Sequence, residues 1–195
     1  MGIVVAVEGP DLAGKTTFID RLRETPQMQT WPVFKPNYPS AVLVDTHGTE
    51  IERISRAWGE GQVAMKQAGL SFILDRCYVS SYVYSLVLKR TYDLEYVKDL
   101  ADRLNPWIVY LSTPADLLLQ RWEYRGDRMH SRLSKPEMST RLMALHQTYE
   151  EWAARNPFHD RVIKVNWEAQ QHPLGVAEMV GQKVVEQVRM SRGDL

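Results

Sequence analysis

Short unbroken apolar runs alternate along this 195-residue chain with longer stretches in which apolar residues recur every three or four positions. The first run, Ile3 to Val7, has strand length, and Phe18, Ile19 and Leu22 follow at helical spacing. Val33, Phe34 and Lys35 predict a second short strand, closed by Pro36-Asn37-Tyr38-Pro39, where two prolines prevent regular structure. Ala41 to Val44 is a further apolar run that fits strand or loop, ended by Gly48. Between Glu50 and Gln67, Ile51, Ile54, Trp58 and Ala64 are helical in spacing only in part, which predicts a helix that Gly59 and Gly61 interrupt. Ser71 to Leu74 reads as a buried strand running into Asp75-Arg76, with Ser80, Ser81, Tyr82 and Tyr84 on the helix after it.

Trp107 to Leu111 predicts a fourth strand, and Thr113-Pro114-Ala115-Asp116 opens another helix with proline near its first turn. Leu142, Leu145, Tyr149 and Trp152 stripe the next helix, a pattern that core packing explains without any binding role. Val162, Ile163 and Val165 make a fifth strand. Val176, Met179, Val180, Val184 and Val188 stripe a last helix begun near Pro173. Alternating strands and helices of this kind predict an α/β fold with a parallel sheet, and the length suits a single domain over residues 1–195.

Composition narrows the class. Apolar residues at 44% and charged residues at 25% are those of a globular protein, and no apolar run approaches the roughly 18 residues of a membrane span. The first apolar run ends at Glu8 without a basic start or a small-residue cleavage site, so a cytoplasmic protein is expected. One cysteine, Cys77, excludes an internal disulfide and any multi-cysteine metal site. With 24 basic against 24 acidic side chains, no global field attracts a polyanion, which argues against long nucleic acid as the main partner.

The chemistry concentrates in Gly9-Pro10-Asp11-Leu12-Ala13-Gly14-Lys15-Thr16-Thr17, between the first strand and the first helix. Two glycines four residues apart, then lysine and a hydroxyl, form the phosphate-loop pattern. Gly9 and Gly14 let the backbone converge its N–H groups, with those of Ala13, Lys15, Thr16 and Thr17, on phosphate oxygens at a helix N-terminus. Lys15 supplies a mobile charge for the outer phosphates, and the Thr16 hydroxyl suits Mg²⁺. ATP and Mg²⁺ are the cofactors this pattern predicts.

Asp75 and Arg76 stand at the carboxyl end of a strand, where open parallel sheets bind ligands. Asp75 is placed to steer a magnesium shell and Arg76 to hold a phosphate. Arg121, Arg125, Arg128 and Arg132 recur at spacings of four, three and four, on one helix face that Gly126 weakens. Beside a phosphate loop, such a segment reads as an arginine-bearing lid that neutralises a moving phosphoryl group. The five histidines have no ligand spacing and receive no role.

Over nearly its whole length the sequence resembles the thymidylate kinase family of P-loop nucleotide kinases. Three pieces carry the likeness: Val7-Glu8-Gly9 through Thr17; Asp75-Arg76 with Ser80, Ser81 and Tyr84; and Asn105-Pro106-Trp107 through Arg121 and Arg125-Gly126-Asp127. The resemblance implies a three-layer fold with a five-stranded parallel sheet, a short lid and a homodimer. It also implies that Asp11 contacts a sugar 3′-hydroxyl, that Arg76 holds the acceptor phosphate with Ser81 nearby, and that Tyr84 packs on the deoxyribose. Leu12 stands where some members carry a catalytic arginine, which shifts that charge to Arg125 and Arg128, with Arg121 near the ATP base. Two departures follow. Lys35 replaces the usual acidic or arginine-bearing motif after the second strand. The arginine expected before the Asp-Arg strand falls near Ile54 or Ser55, so that Arg53 or Arg56 matches only with a shift, and no phenylalanine precedes it.

The expected activity is transfer of a phosphoryl group from ATP to a deoxynucleoside monophosphate, a dTMP-like acceptor leading. A deoxynucleoside kinase, a kinase of DNA ends or of a modified base in DNA, and a regulatory ATPase remain as alternatives. A nucleoside acceptor needs a carboxylate to take its proton, and only Asp11 or Asp75 is at hand for that.

Overall fold

The computed structural model describes residues 2–36, 49–125, 133–158, 160–166 and 173–192. Five strands, β1 (Val4–Glu8), β2 (Val33–Phe34), β3 (Phe72–Asp75), β4 (Trp107–Leu111) and β5 (Arg161–Val165), form one sheet in the order β2-β3-β1-β4-β5. Every pairing is parallel, with Ala6 opposite Leu74 on one side and Ile108 on the other. Among the described residues seven helices accompany them: α1 (Lys15–Glu24), α2 (Thr49–Gln67), α3 (Tyr78–Leu88), α4 (Leu94–Leu104), α5 (Ala115–Arg125), α6 (Lys135–Arg155) and α7 (Pro173–Arg192).

The period-two alternation of the strands divides the core into two layers. Val5, Val7, Ile73, Val109 and Ile163 face one way and pack with Phe18 and Leu22 of α1 and Val180 and Val184 of α7. Val4, Ala6, Leu74, Ile108 and Tyr110 face the other way, toward α2, α3, α4 and the Leu145–Tyr149–Trp152 stripe of α6. β1, β3 and β4 are buried on both faces and read as continuous apolar runs, whereas the edge strands β2 and β5 are only partly buried. The three-layer α/β expectation holds.

The expected helix over residues 50–67 is present, without the interruption, and one helix lies beyond the sequence reading. Helix α2 runs unbroken through Gly59 and Gly61. Gly59 is where α2 meets α4: a Cβ there would lie 2.7 Å from Tyr96 Oη and 2.8 Å from Leu100 Cδ2. The glycine serves helix packing, and packing outweighs its poor propensity. Helix α4 was not read from the sequence at all, although Val97, Leu100, Ala101 and Leu104 are buried at helical spacing behind an Asp93 N-cap that accepts from Tyr96 N at 3.0 Å. Lys66, near the end of α2, donates to the Arg103 and Leu104 carbonyls at 3.1 and 2.7 Å and closes the α2–α4 pair at its far end. The Ala41–Val44 run, Pro39 and the lid residues Arg128 and Arg132 lie outside the described residues. No described helix is long and apolar enough to cross a membrane.

Candidate active site

The loop between β1 and α1 turns on two backbone positions that only glycine accepts readily. Gly9 has φ 146°, and a Cβ on it would lie 2.9 Å from the Leu111 carbonyl; Gly14 has φ 90° and is the N-cap of α1. The loop leads into the first turn of α1, where Thr16 and Thr17 are exposed and the helix's unpaired N–H groups begin. Lys15 is 7% exposed and its ammonium folds back over its own loop, donating to the Gly9 and Pro10 carbonyls at 3.0 and 2.6 Å. Burial, and then the charge of Arg76, lower its pKa to about 7 against the pull of Asp11, Asp75 and Glu8. Arg121 reaches the other side of the loop and donates to the Leu12 carbonyl at 2.6 Å.

Arg76 joins this loop to the strand beside it. Register places Asp75 opposite Val7, so that the end of β3 stands against the end of β1, and Arg76 follows with φ 80°. Its guanidinium pairs with Asp11 and donates to Ser80 Oγ at 2.9 Å and to the Gly9 carbonyl at 3.3 Å. Tyr84, one turn beyond Ser80 on α3, donates to the other Asp11 oxygen at 2.5 Å, and its ring lies 5.4 Å from the guanidinium carbon. Burial opposes the charge on Arg76, but the surrounding Tyr84, Asp11, Tyr149 and Glu8 oxygens outweigh it and hold the guanidinium protonated. Asp11, Arg76 and Tyr84, read separately from the sequence, form one cluster.

Beneath the cluster sits Glu8, fully buried at the end of β1. Its Oε1 accepts from the backbone N–H groups of Cys77 and Ser80 at 2.6 and 3.2 Å, the N-cap and third residue of α3. Its Oε2 accepts from Ser80 Oγ at 2.6 Å and Tyr149 Oη at 3.1 Å. A carboxylate from a neighbouring strand therefore caps α3, where the helix dipole also favours negative charge. Sequence spacing did not reveal this. Tyr149 was read as packing alone; it does stack on Tyr110 at 5.7 Å, but its hydroxyl also anchors the floor of the site.

Asp75 is 4% exposed; its Oδ2 pairs with Lys35 at 3.1 Å and its Oδ1 has no hydrogen-bond partner. An unpaired buried carboxylate oxygen beside a phosphate loop fits a hard cation that takes oxygen ligands, with the Thr16 hydroxyl as the second donor the sequence offers. Lys35, expected at an acceptor phosphate, is engaged with Asp75 and is otherwise largely exposed. Among the described residues no group of three His, Cys, Asp or Glu side chains forms a ready metal site.

Beyond Arg76 a pocket opens between α2, α3 and α4. Arg76, Cys77 and Ser81 line the side toward the loop, and Glu52, Arg56, Gln62, Asp93 and Tyr96 line the opposite walls. Arg56 bridges Glu52 at 2.8 Å and Asp93 at 2.5 Å and stacks on Tyr96 at 4.3 Å. Glu52 is one turn away on α2, whereas Asp93 is the N-cap of α4 and meets Arg56 only through the packing of the two helices. Cys77 is buried at the pocket edge, as a packing residue should be. The side chain of Arg125 lies outside what the structure describes.

No protein-family model matches the chain, and no curated protein sequence matches it. Solved structures do. A deoxyadenosine kinase from M. mycoides with bound dATP superimposes with a TM-score of 0.63 at 15% identity over 94% of this chain and 100% of that one. The same enzyme with dCMP and dCDP gives a TM-score of 0.60 at 13% identity, covering 95% and 100%. Shikimate kinase from Acinetobacter baumannii, in complex with shikimate, gives 0.58 at 14% identity over 98% and 95%. At these identities the likeness is one of fold: a five-stranded parallel sheet flanked by helices, shared with these kinases of solved structure.

Proposed function

We propose that this chain is an ATP- and Mg²⁺-dependent kinase that converts a deoxynucleoside monophosphate, with a dTMP-like acceptor leading, to the diphosphate. One observation carries the reading: the Arg76 guanidinium touches the Gly9 carbonyl of the phosphate loop and also lines the neighbouring pocket. A cation shared by the two compartments suits an acceptor whose own anionic group must approach the γ-phosphate.

An acceptor phosphate oxygen attacks the γ-phosphorus, and the bond to the ADP oxygen breaks, leaving its electron pair on ADP. The acceptor is already an anion, so no strong base is needed and positioning with charge neutralisation does the catalysis. Lys15 leaves its loop carbonyls for the outer phosphates, and Thr16 and Asp75 would hold Mg²⁺, which would supply positive charge to the phosphates. Asp11 and Tyr84 position the sugar. Arg125 and Arg128 supply lid charge, while Arg121 stays at the loop. A homodimer in the cytoplasm completes the proposal.

A deoxynucleoside kinase is the second reading, favoured by the free Asp75 Oδ1, a buried acceptor able to take a hydroxyl proton. The deoxyadenosine kinase fold neighbours also point that way. ADP release from ATP and Mg²⁺ across nucleoside monophosphates, nucleosides and single-stranded DNA, with Lys15→Ala as control, separates the readings. Turnover restricted to deoxynucleoside monophosphates is expected; turnover only with nucleosides or DNA would replace the proposal.

A further inference from the structure

The wall that α2 gives to the pocket beyond Arg76 carries unpaired polar groups. Gln62 is 2% exposed, lines the pocket, and its amide makes no hydrogen bond to any described residue. Buried polar groups are nearly always paired, so an unpaired amide on a residue that lines a pocket points to a ligand. Trp58 lies one helical turn earlier on the same face of α2 and lines the same wall, and its indole Nε1 is likewise unpaired.

Charge is kept away from this end. The charged lining residues of α2, Arg56 and Glu52, lie six and ten positions before Gln62, about 9 and 15 Å along the helix axis. Arg56 is also already engaged with Glu52, Asp93 and the Tyr96 ring, so its guanidinium is occupied. From α4, Val97 and Leu100 bring apolar surface to the pocket, and Gly59 lets that helix come close. An amide presents one donor and one acceptor side by side, matching the edge of an uncharged planar heterocycle that offers the complementary pair.

We infer that Gln62 is the specificity-determining residue that reads the base of the acceptor, with Trp58 offering the adjoining aromatic wall, while the acceptor's phosphate is held at Arg76. The inference rests on the nucleotide-kinase reading for the identity of the ligand. It assigns base reading to an amide on α2 instead of to the arginine that the family resemblance led one to seek near Ile54.

The test is calorimetric binding, without ATP, of the four 2′-deoxynucleosides, their 5′-monophosphates and the base-less deoxyribose 5-phosphate to wild type, Gln62→Leu and Gln62→Glu. At least one base should bind the wild type, and Gln62→Leu should weaken it about 10- to 100-fold, the range of a lost bidentate amide–base contact. Deoxyribose 5-phosphate should bind both alike. Gln62→Glu, which keeps an acceptor and loses the donor, should reorder the bases in favour of those that donate. Unchanged affinities in both variants, or no base-dependent binding by the wild type, overturn the inference. Gln62-dependent base binding without monophosphate turnover would support the inference and sink the kinase reading, whereas turnover indifferent to Gln62 would do the reverse.

Discussion

Ser80, on the first turn of α3, donates its hydroxyl at 2.6 Å to Glu8, at the end of β1 and 72 residues earlier in the chain. The same Ser80 Oγ accepts from Arg76 at 2.9 Å. One serine thus connects the buried carboxylate that caps α3 to the guanidinium facing the phosphate loop. Moving any of the three disturbs the others.

Glu8→Ala should be strongly destabilising, by about 3–5 kcal/mol, because it orphans the N–H groups of Cys77 and Ser80 and the hydroxyls of Ser80 and Tyr149 in a dry site. Ser80→Ala should cost less, about 1–2 kcal/mol. Urea unfolding of both single variants and the double variant checks this. The double variant should be more stable than the sum of the singles implies, and strict additivity would mean that the two residues act separately.

Arg76→Lys retains a charge but loses the planar fork that serves Asp11, Ser80 and Gly9 together. With a monophosphate acceptor, kcat/KM should fall by about 100-fold or more, equivalent to about 3 kcal/mol of transition-state stabilisation. Steady-state kinetics with saturating ATP measures it. Tyr84→Phe removes only the donor to Asp11 and should cost less than tenfold.

Lys15, with its pKa lowered to about 7, is largely neutral at pH 8.5 in the free protein. Phosphate oxygens favour the ammonium, so ATP binding should take up close to one proton at that pH and almost none below pH 6. Calorimetry in buffers of different ionisation heats measures the uptake, which Lys15→Met should abolish. The same shift sets the sign for stability. Between about pH 7 and the ordinary lysine value of 10.5 the unfolded chain binds the extra proton, so this group makes the free protein more stable as pH rises through that window.

Gly61→Ala should stabilise the protein by about 0.5–1 kcal/mol, since no atom lies within 4 Å of the added methyl and the position is inside a helix. Gly59→Ala should not share that gain. Its methyl meets Tyr96 Oη, which donates to the Arg56 carbonyl at 3.1 Å, and the displaced ring also supports the Arg56 guanidinium. Thermal unfolding of the two variants side by side separates propensity from packing; equal gains would contradict the close α2–α4 contact.

Local sequence patterns specify the strands, the phosphate loop and the Asp75-Arg76 turn. Each is a local pattern: the doubly buried β1, β3 and β4 are continuous apolar runs, the edge strands β2 and β5 are short β-branched or aromatic segments, and a phosphate-binding turn needs glycines, lysine and a hydroxyl within nine residues. The sequence also contained the α4 stripe, where Asp93 and the Val97 to Leu104 spacing were legible and went unread. The tertiary structure alone decided which side chains share a site. Glu8, Ser80 and Tyr149 meet across 141 residues of chain, Arg56 finds Asp93 on another helix, and Gln62 is left facing a pocket. No periodicity encodes such meetings, because they depend on strand order and on how closely α2 and α4 pack. Gly59 shows the difference: local propensity marks it as a break, whereas helix packing makes it the residue that lets the helix continue.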